Sequence, residues 1–234
     1  MLIEALGLER ARLVALCGAG GKTSLMFALA REFASQAERV LVTTTTKLAA
    51  EEGEGPWPAG IAISHGGRID GKLQGHPPAA IDALAASGQV DRVLVEADGS
   101  RRRPLKAPAP HEPVIPSTTD AVVVVAGMSG LGRPLSEDTV FRADIWAALS
   151  GIALGAPIDA EAFARVALHE AGLAKGCPPS SRATLFLNQV DTPAAHAAAA
   201  SIARLLTAAA HGPFARIVAG RLQPSPELSL VVPV

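Results

Sequence analysis

Short apolar runs alternate along the chain with longer stretches of helical periodicity. That alternation predicts a mostly parallel sheet covered by helices. Arg12 to Cys17 reads as a first strand, Gly18 to Gly21 as a loop and Lys22 to Gln36 as a helix. Val40 to Thr45 is rich in β-branched residues and reads as a second strand. Pro77 to Ser87 has a helical pattern, and Arg92 to Ala97 reads as a third strand. Ala121 to Ala126 is nearly continuous valine, as expected for a strand buried on both faces. Asp159 to Ala171 reads as a helix with Asp159 at its N-cap. Thr184 to Leu187 is a strand, and Pro193 to Ala210 a helix with proline in its first turn. Ala215 to Ala219 and Leu228 to Val232 read as late strands.

Two stretches break the rhythm. Glu51 to Gly75 is rich in Gly, Pro and Glu and reads as an irregular excursion or small hairpin. Arg101 to Pro116 holds five prolines, four cations and His111. Its prolines exclude a helix or a central strand. A loop of that length inside a compact domain points to function.

Composition narrows the possibilities. The chain has 234 residues, 49% of them hydrophobic and 18% charged, which predicts one domain over 1–234 with a sizeable core. It has 46 Ala, no Tyr, 6 Phe and 2 Trp, so the core must rest on Ala, Val, Leu and Ile. Few aromatics argue against base stacking on single-stranded nucleic acid. A net charge of −1 argues against any nucleic-acid or acidic-membrane partner. Cys17 and Cys177 cannot form a disulfide framework and fit a reducing compartment. Charged residues interrupt any leader-like run at the N-terminus, and no apolar run approaches membrane length, so a cytoplasmic protein is expected. The six His lack metal-ligand spacing. Only 5 of the 21 basic residues are Lys, which makes each Lys position a question.

The strongest chemical signal is L-V-A-L-C-G-A-G-G-K-T-S, residues 13–24. A strand runs into a glycine loop, and Lys-Thr-Ser opens a helix. Gly18, Ala19, Gly20 and Gly21 let backbone N–H groups converge on a polyphosphate, and the helix N-terminus adds partial positive charge. Lys22 would reach the outer phosphates, Thr23 would ligate Mg²⁺ and Ser24 would complete the cradle. As an exposed side chain, Lys22 is expected to contribute little to the core, so Lys22→Ala should abolish nucleotide-dependent stabilisation without unfolding. Leu16 stands where a full Walker loop has its first glycine. The remaining G-x-x-G-K-T resembles the short loop of Mur-type ligases and the loops of metal-insertion and signal-recognition NTPases. The expected architecture is therefore a three-layer α/β sheet of the P-loop NTPase type.

Further candidates follow along the chain. R-V-L-V-E-A-D-G-S ends a strand on Glu96 and Asp98, one to hold Mg²⁺ and the other to orient a nucleophile. The alternative is a simple Asp98-Gly99 turn. In the first reading Lys22, Glu96 and Asp98 are the catalytic set, with Thr23 and Asp98 on the metal. L-F-L-N-Q-V-D resembles the N-K-x-D element of GTP-binding proteins, with Gln189 in place of Lys. Asp191 would then read guanine and Asn188 brace the loop. Otherwise Asp191 leads into the next helix, and ATP is the expected nucleotide. Thr45 and Lys47 end the second strand near the same place. Lys106 and the three arginines Arg101, Arg102 and Arg103, in the proline segment, are expected to bind an anion larger than the nucleotide phosphates. The alternative is a rigid surface loop with solvated arginines. G-M-S-G-L-G, residues 127–132, would bring backbone amides near the site. Arg142 is a candidate transition-state cation before a helix.

The ordered set G-A-G-G-K-T-S, T-T-T-T-K, V-E-A-D-G-S, P-L-K-A-P, H-E-P-V-I-P, V-F-R and L-N-Q-V-D resembles the YqeC family over about residues 10–220. The resemblance selects Gly18 to Ser24, Thr43 to Lys47, Glu96 to Ser100, Pro104 to Pro108 and Glu112. It implies a phosphate-loop protein that accompanies selenium-dependent molybdenum hydroxylases in selenium-cofactor biosynthesis. Such a protein would take ATP or GTP with Mg²⁺, an anionic molybdopterin or selenium species, and an apo-hydroxylase partner. Three activities remain open. The first is an NTP hydrolase or a phosphoryl or nucleotidyl transferase. The second is a nucleotide-switched carrier with little turnover. The third is a Mur-like ligase, for which the sequence shows no substrate domain.

Overall fold

A computed structural model of the protein describes residues 1–49, 57–69 and 71–234. Residues 50–56 and 70, part of the excursion expected over 51–75, lie outside the described residues. The main sheet has eight strands in the order β13-β12-β11-β9-β1-β7-β2-β4. Their ranges are β1 Leu13–Gly18, β2 Val40–Thr44, β4 Ile61–Ile63, β7 Arg92–Glu96 and β9 Ala121–Gly127. On the far side come β11 Arg182–Asn188, β12 Arg216–Arg221 and β13 Glu227–Pro233. Only β13 runs antiparallel to its neighbour. The expected mostly parallel α/β sheet is thus what forms.

All six residues of β1 and all seven of β9 are buried. The strand period of two divides β1 between two cores. Val14 and Leu16 pack with Leu2 and Leu6 of α1 (Leu2–Leu6) and with Leu25, Leu29 and Phe33 of α2 (Lys22–Ser35). Ala15 and Cys17 face the opposite core. Trp146 of α4 (Ala143–Ser150), Phe163 of α5 (Ala160–Leu168) and Ile202 of α6 (Pro193–Thr207) fill it. Leu13 joins a smaller cluster with Ile81 of α3 (Pro78–Ala86). Helices therefore cover both faces, and the near-continuous valine of β9 is explained.

The expected strands and helices form, with ends shifted. The helix expected to Ala171 stops at Leu168, with Asp159 capping it through the Ala162 amide at 2.7 Å. The helix expected to Ala210 stops at Thr207. Three short pieces carry no periodic signal in the sequence. One is the three-stranded sheet β3 Lys47–Ala49, β5 Gly67–Ile69 and β6 Lys72–Gln74. Another is the parallel pair β8 Leu105–Lys106 and β10 Val140–Phe141. The third is a 3-10 turn over Met128–Gly130. The proline segment contributes only β8, off the main sheet.

β1 lies between β7 and β9, and the chain leaves it towards opposite sheet edges. Ligands of open α/β sheets bind outside the carboxyl ends of strands at such a reversal. The expected phosphate loop follows β1 at that point.

Trp146 and Phe163 are fully buried and meet with ring centres 5.9 Å apart. The Trp146 Nε1 has no hydrogen-bond partner among the described residues. Phe163→Ala is predicted to cost about 3–5 kcal/mol in chemical denaturation. Trp146→Phe is predicted to cost under about 2 kcal/mol, because it also removes a buried unsatisfied N–H.

Candidate functional site

Gly18, Gly20 and Gly21 carry φ of 95°, 80° and 124°. Packing alone demands glycine here. A Cβ on Gly18 would meet the Val125 carbonyl at 2.2 Å, and one on Gly20 the Gly127 nitrogen at 2.4 Å. The loop is therefore pressed against the end of β9, and its glycines are required with or without a ligand. Gly21 is the N-cap of α2 and, with no side chain, gives the first-turn amides no side-chain acceptor. Asn188, at the end of β11, donates from Nδ2 to the Gly20 carbonyl at 2.8 Å and braces the loop.

Below the loop lies a chain of buried charges. Asp98 accepts from the Gly18 amide at 3.1 Å to each carboxylate oxygen. Lys106 Nζ sits 2.8 Å from Asp98 and 2.6 Å from Glu112, and donates to the Gly99 carbonyl at 2.7 Å. Arg142 closes the chain with bonds of 2.7 and 3.1 Å to the two oxygens of Glu112. Lys22 Nζ donates to the Gly18 carbonyl at 2.8 Å and lies 3.4 Å from Asp98 and 3.7 Å from Glu96. Thr23 donates to Glu96 at 2.7 Å.

Burial depresses the Lys22 pKa, but Asp98 and Glu96 more than offset it, so the ammonium titrates above its ordinary value of 10.5. Burial pushes the Glu112 carboxyl up, but hydrogen bonds from Arg142 and Lys106 hold it below its ordinary value of 4.5. Burial and then Asp98 push the Cys17 thiol well up, and burial pushes that of Cys177 to about 11.

Three expectations change. Lys22 is not an exposed side chain: it is 4% exposed and ion-paired, so Lys22→Ala is destabilising by about 3 kcal/mol or more. Lys106 does not present its charge to a ligand, because it is 2% exposed and its three hydrogens already have acceptors. The Thr23 hydroxyl meets Glu96 rather than Asp98, which is 2% exposed and held by Gly18, Lys22 and Lys106. Thr23 and Glu96 both line the cleft and form a hydrogen-bonded pair of oxygen donors there. Mg²⁺ takes one or two protein oxygens beside substrate phosphates and water, so this pair fits it. Among the described residues no cluster of three or more His, Cys, Asp or Glu forms a metal cage.

The phosphate loop opens into a cleft of about 970 Å³. Among the described residues eight cationic side chains line it, with the carboxylates of Glu96 and Glu112. Lys22, Lys47, Arg142 and the run Arg101, Arg102 and Arg103 were predicted from sequence, whereas Lys72 and Arg133 were not singled out. Lys72 arrives on β6, within a stretch whose composition gave no periodic signal. Ser24, Ser129 and Gln189 also line the cleft. Thr45 does not: its hydroxyl donates to the Val114 carbonyl at 2.7 Å and ties β2 to the proline segment. Lys175 fastens the same segment through the carbonyls of Ala109, Pro110 and Glu112 at 2.6–3.0 Å. An adjoining pocket of about 530 Å³ shares Ser129 and Gln189 with the cleft. It is lined by Met128, Leu131, Ile158 and alanines, together with Asp159, Asp191 and Thr192.

A pH dependence follows. The depressed Glu112 pKa gives stability that is present above 4.5 and lost as pH falls through the folded value. The raised Lys22 pKa gives stability that is complete below 10.5 and lost as pH rises through the folded value. Thermal midpoints should therefore fall on both sides of that window. Glu112→Gln should make the acid limb shallower without changing the alkaline limb, the depressed Asp82 and Asp91 carboxyls keeping part of the acid dependence.

The YqeC protein family matches residues 14–144. YqeC of Escherichia coli (strain K12) is 34% identical over 197 residues, covering 77% of each chain. Among solved structures, FtsY from Mycoplasma mycoides aligns over 89% of this chain with 14% identity and a TM-score of 0.46. Chloroplast FtsY from Physcomitrella patens aligns over 91% with 14% identity and a TM-score of 0.45. This chain spans 61% and 60% of those two FtsY chains. No helix among the described residues is long and apolar enough to cross a membrane. With the family matched over more than half the chain and a relative 34% identical over 77% of it, the chain belongs to the YqeC family.

Proposed function

We propose that the chain is a single Mg²⁺-dependent nucleotide-binding domain that hydrolyses a nucleoside triphosphate or transfers its phosphoryl or nucleotidyl group. The observation that carries this reading is the start of α2 without a side-chain cap, with Lys22 and the Thr23–Glu96 pair beside it. The amides of the first turn would hold phosphate oxygens. Lys22 would exchange its Gly18 carbonyl for an outer phosphate oxygen. Bound Mg²⁺, held by Thr23 with Glu96 and water, would neutralise charge on the polyphosphate. Arg142, kept on the cleft by Glu112, would offset charge that develops during transfer.

The adjoining pocket would take the base. Its largely apolar lining suits a ring, and Asp191, also in that lining, would accept from guanine N–H groups. Asn188 already braces the loop as the base-reading element requires. The pathway, maturation of a selenium-dependent molybdenum hydroxylase cofactor, is proposed from the family likeness. The chain of ion pairs from Gly18 to Arg142 also supports a second reading, a nucleotide-switched carrier that passes an anionic molybdopterin or selenium species to the apo-hydroxylase. Phosphate release with and without a molybdopterin ligand would separate turnover from switching.

The test is calorimetric titration of Mg²⁺ with ATP, GTP and XTP. The folded wild type should bind ATP or GTP with Kd below about 1 mM. Thr23→Val should weaken binding by about tenfold or more and remove its Mg²⁺ dependence. Asp191→Asn should shift preference from guanine to xanthine. No nucleotide binding at millimolar concentration would sink the proposal, and an unchanged base preference would leave Asp191 as a residue of the turn into α6.

A further inference from the structure

Arg101 and Arg102 sit in a conformation that arginine disfavours. Their φ values are 49° and 60°, and the Arg103 amide donates to the Ser100 carbonyl at 3.0 Å. Two successive positive φ values inside that hydrogen bond make a type I′ turn, whose central residues are usually Asn-Gly or Gly-Gly. Backbone strain of this kind collects at ligand sites, where the surroundings enforce it. The distribution here agrees. Of five non-glycine residues with positive φ among the described residues, Arg101, Arg102, Arg142 and Gln189 all line the one cleft.

The three arginines of the run do different things. Arg103 anchors the turn, bonded to the Glu137 carbonyl at 2.5 Å and 3.3 Å from Asp138. Arg101 and Arg102 are exposed into the cleft, and neither has a carboxylate partner among the described residues. The Arg101 guanidinium lies 5.0 Å from the centre of the Phe141 ring, and that of Arg142 lies 4.1 Å from it. Lys106 Nζ lies 5.7 Å from the same centre, so one aromatic ring meets three cations. Among the described residues eight cationic side chains and two carboxylates line the cleft. Of the eight, Lys22, Arg103 and Arg142 already pair with Asp98, Asp138 and Glu112, whereas Arg101 and Arg102 do not pair with an acid.

We propose that the Arg101–Arg102 turn is a second anion subsite, one that binds the phosphate of a small phosphomonoester facing the nucleotide. Two adjacent guanidiniums match the oxygens of a phosphate dianion. A concave cleft on a near-neutral surface selects a small ligand over a polyanion such as nucleic acid. The proposal deepens the nucleotide reading above and rests on it for what the second ligand faces.

The test uses phenyl phosphate and inorganic phosphate, titrated with the phosphate loop saturated by Mg²⁺ and a non-hydrolysable nucleotide. The key variant is R101N/R102G, which replaces both arginines with residues that suit the turn. Its thermal midpoint without ligand should hold or rise, because the backbone strain is relieved. Its affinity for phenyl phosphate should fall by about tenfold or more while nucleotide affinity stays within about twofold. Thr23→Val should show the reverse pattern. Tighter binding of phenyl phosphate than of inorganic phosphate marks an ester as the ligand. Equal binding overturns the phosphomonoester assignment, and so does a wild type that binds neither probe. The inference also fails if the double variant keeps its phosphate affinity, or loses nucleotide affinity by the same factor. If no nucleotide binds but phosphate still depends on Arg101 and Arg102, the nucleotide reading fails and the arginine subsite stands.

Discussion

The buried carboxylate of Asp98 is the contact on which the rest of the site depends. Removing a carboxylate from water costs several kcal/mol unless partners replace the water. Here the partners are the Gly18 amide, Lys22 and Lys106. Each ties Asp98 to a different part of the chain. Gly18 fixes the turn out of β1, Lys22 begins α2 and Lys106 belongs to the proline segment. One side chain therefore holds the phosphate loop and the opposite wall of the cleft in register. Glu112 extends the network to Arg142, and Lys175 and Thr45 pin the segment from behind.

This arrangement assigns the basic residues to two roles. Lys22, Lys106, Arg103 and Arg142 are paired with acids and shape the cleft. Arg101 and Arg102 face it without acid partners, on a strained turn that the paired set holds in place. The wall is thus arranged before a ligand arrives, which lowers the ordering cost of binding. A ligand that moves Lys22 alters the neighbours of Asp98, and through them the proline segment. Both proposed activities, transfer and switching, draw on that connection.

Much of the fold was legible in the sequence. The strand, glycine loop and Lys-Thr-Ser opening gave β1 and α2. The valine run gave β9, and the strand ending in Glu96 and Asp98 gave β7. Asn188 as a brace was also legible, because its motif is local. The ion chain was not. Lys106 meets Asp98, and Arg142 meets Glu112, only after the proline segment folds back along β8 and β10, two-residue strands with no periodicity to read. Asp98-Gly99 looked like the turn, yet the turn forms two residues later, over Ser100 to Arg103, where sequence preference argues against it. Lys72 and Lys175 had no local context, although one reaches the cleft and the other clamps the proline segment. The scarcity of Lys proved informative: four of five lysines line the cleft or lie in the ion network behind it, and the fifth clamps the segment that bounds it.

The central claim is that Asp98 couples the phosphate loop to the proline segment. Amide hydrogen exchange, with and without Mg²⁺ and nucleotide, tests it most directly. The account predicts slower exchange on nucleotide addition in residues 18–24 and also in residues 99–112. Slowing confined to residues 18–24 would contradict it.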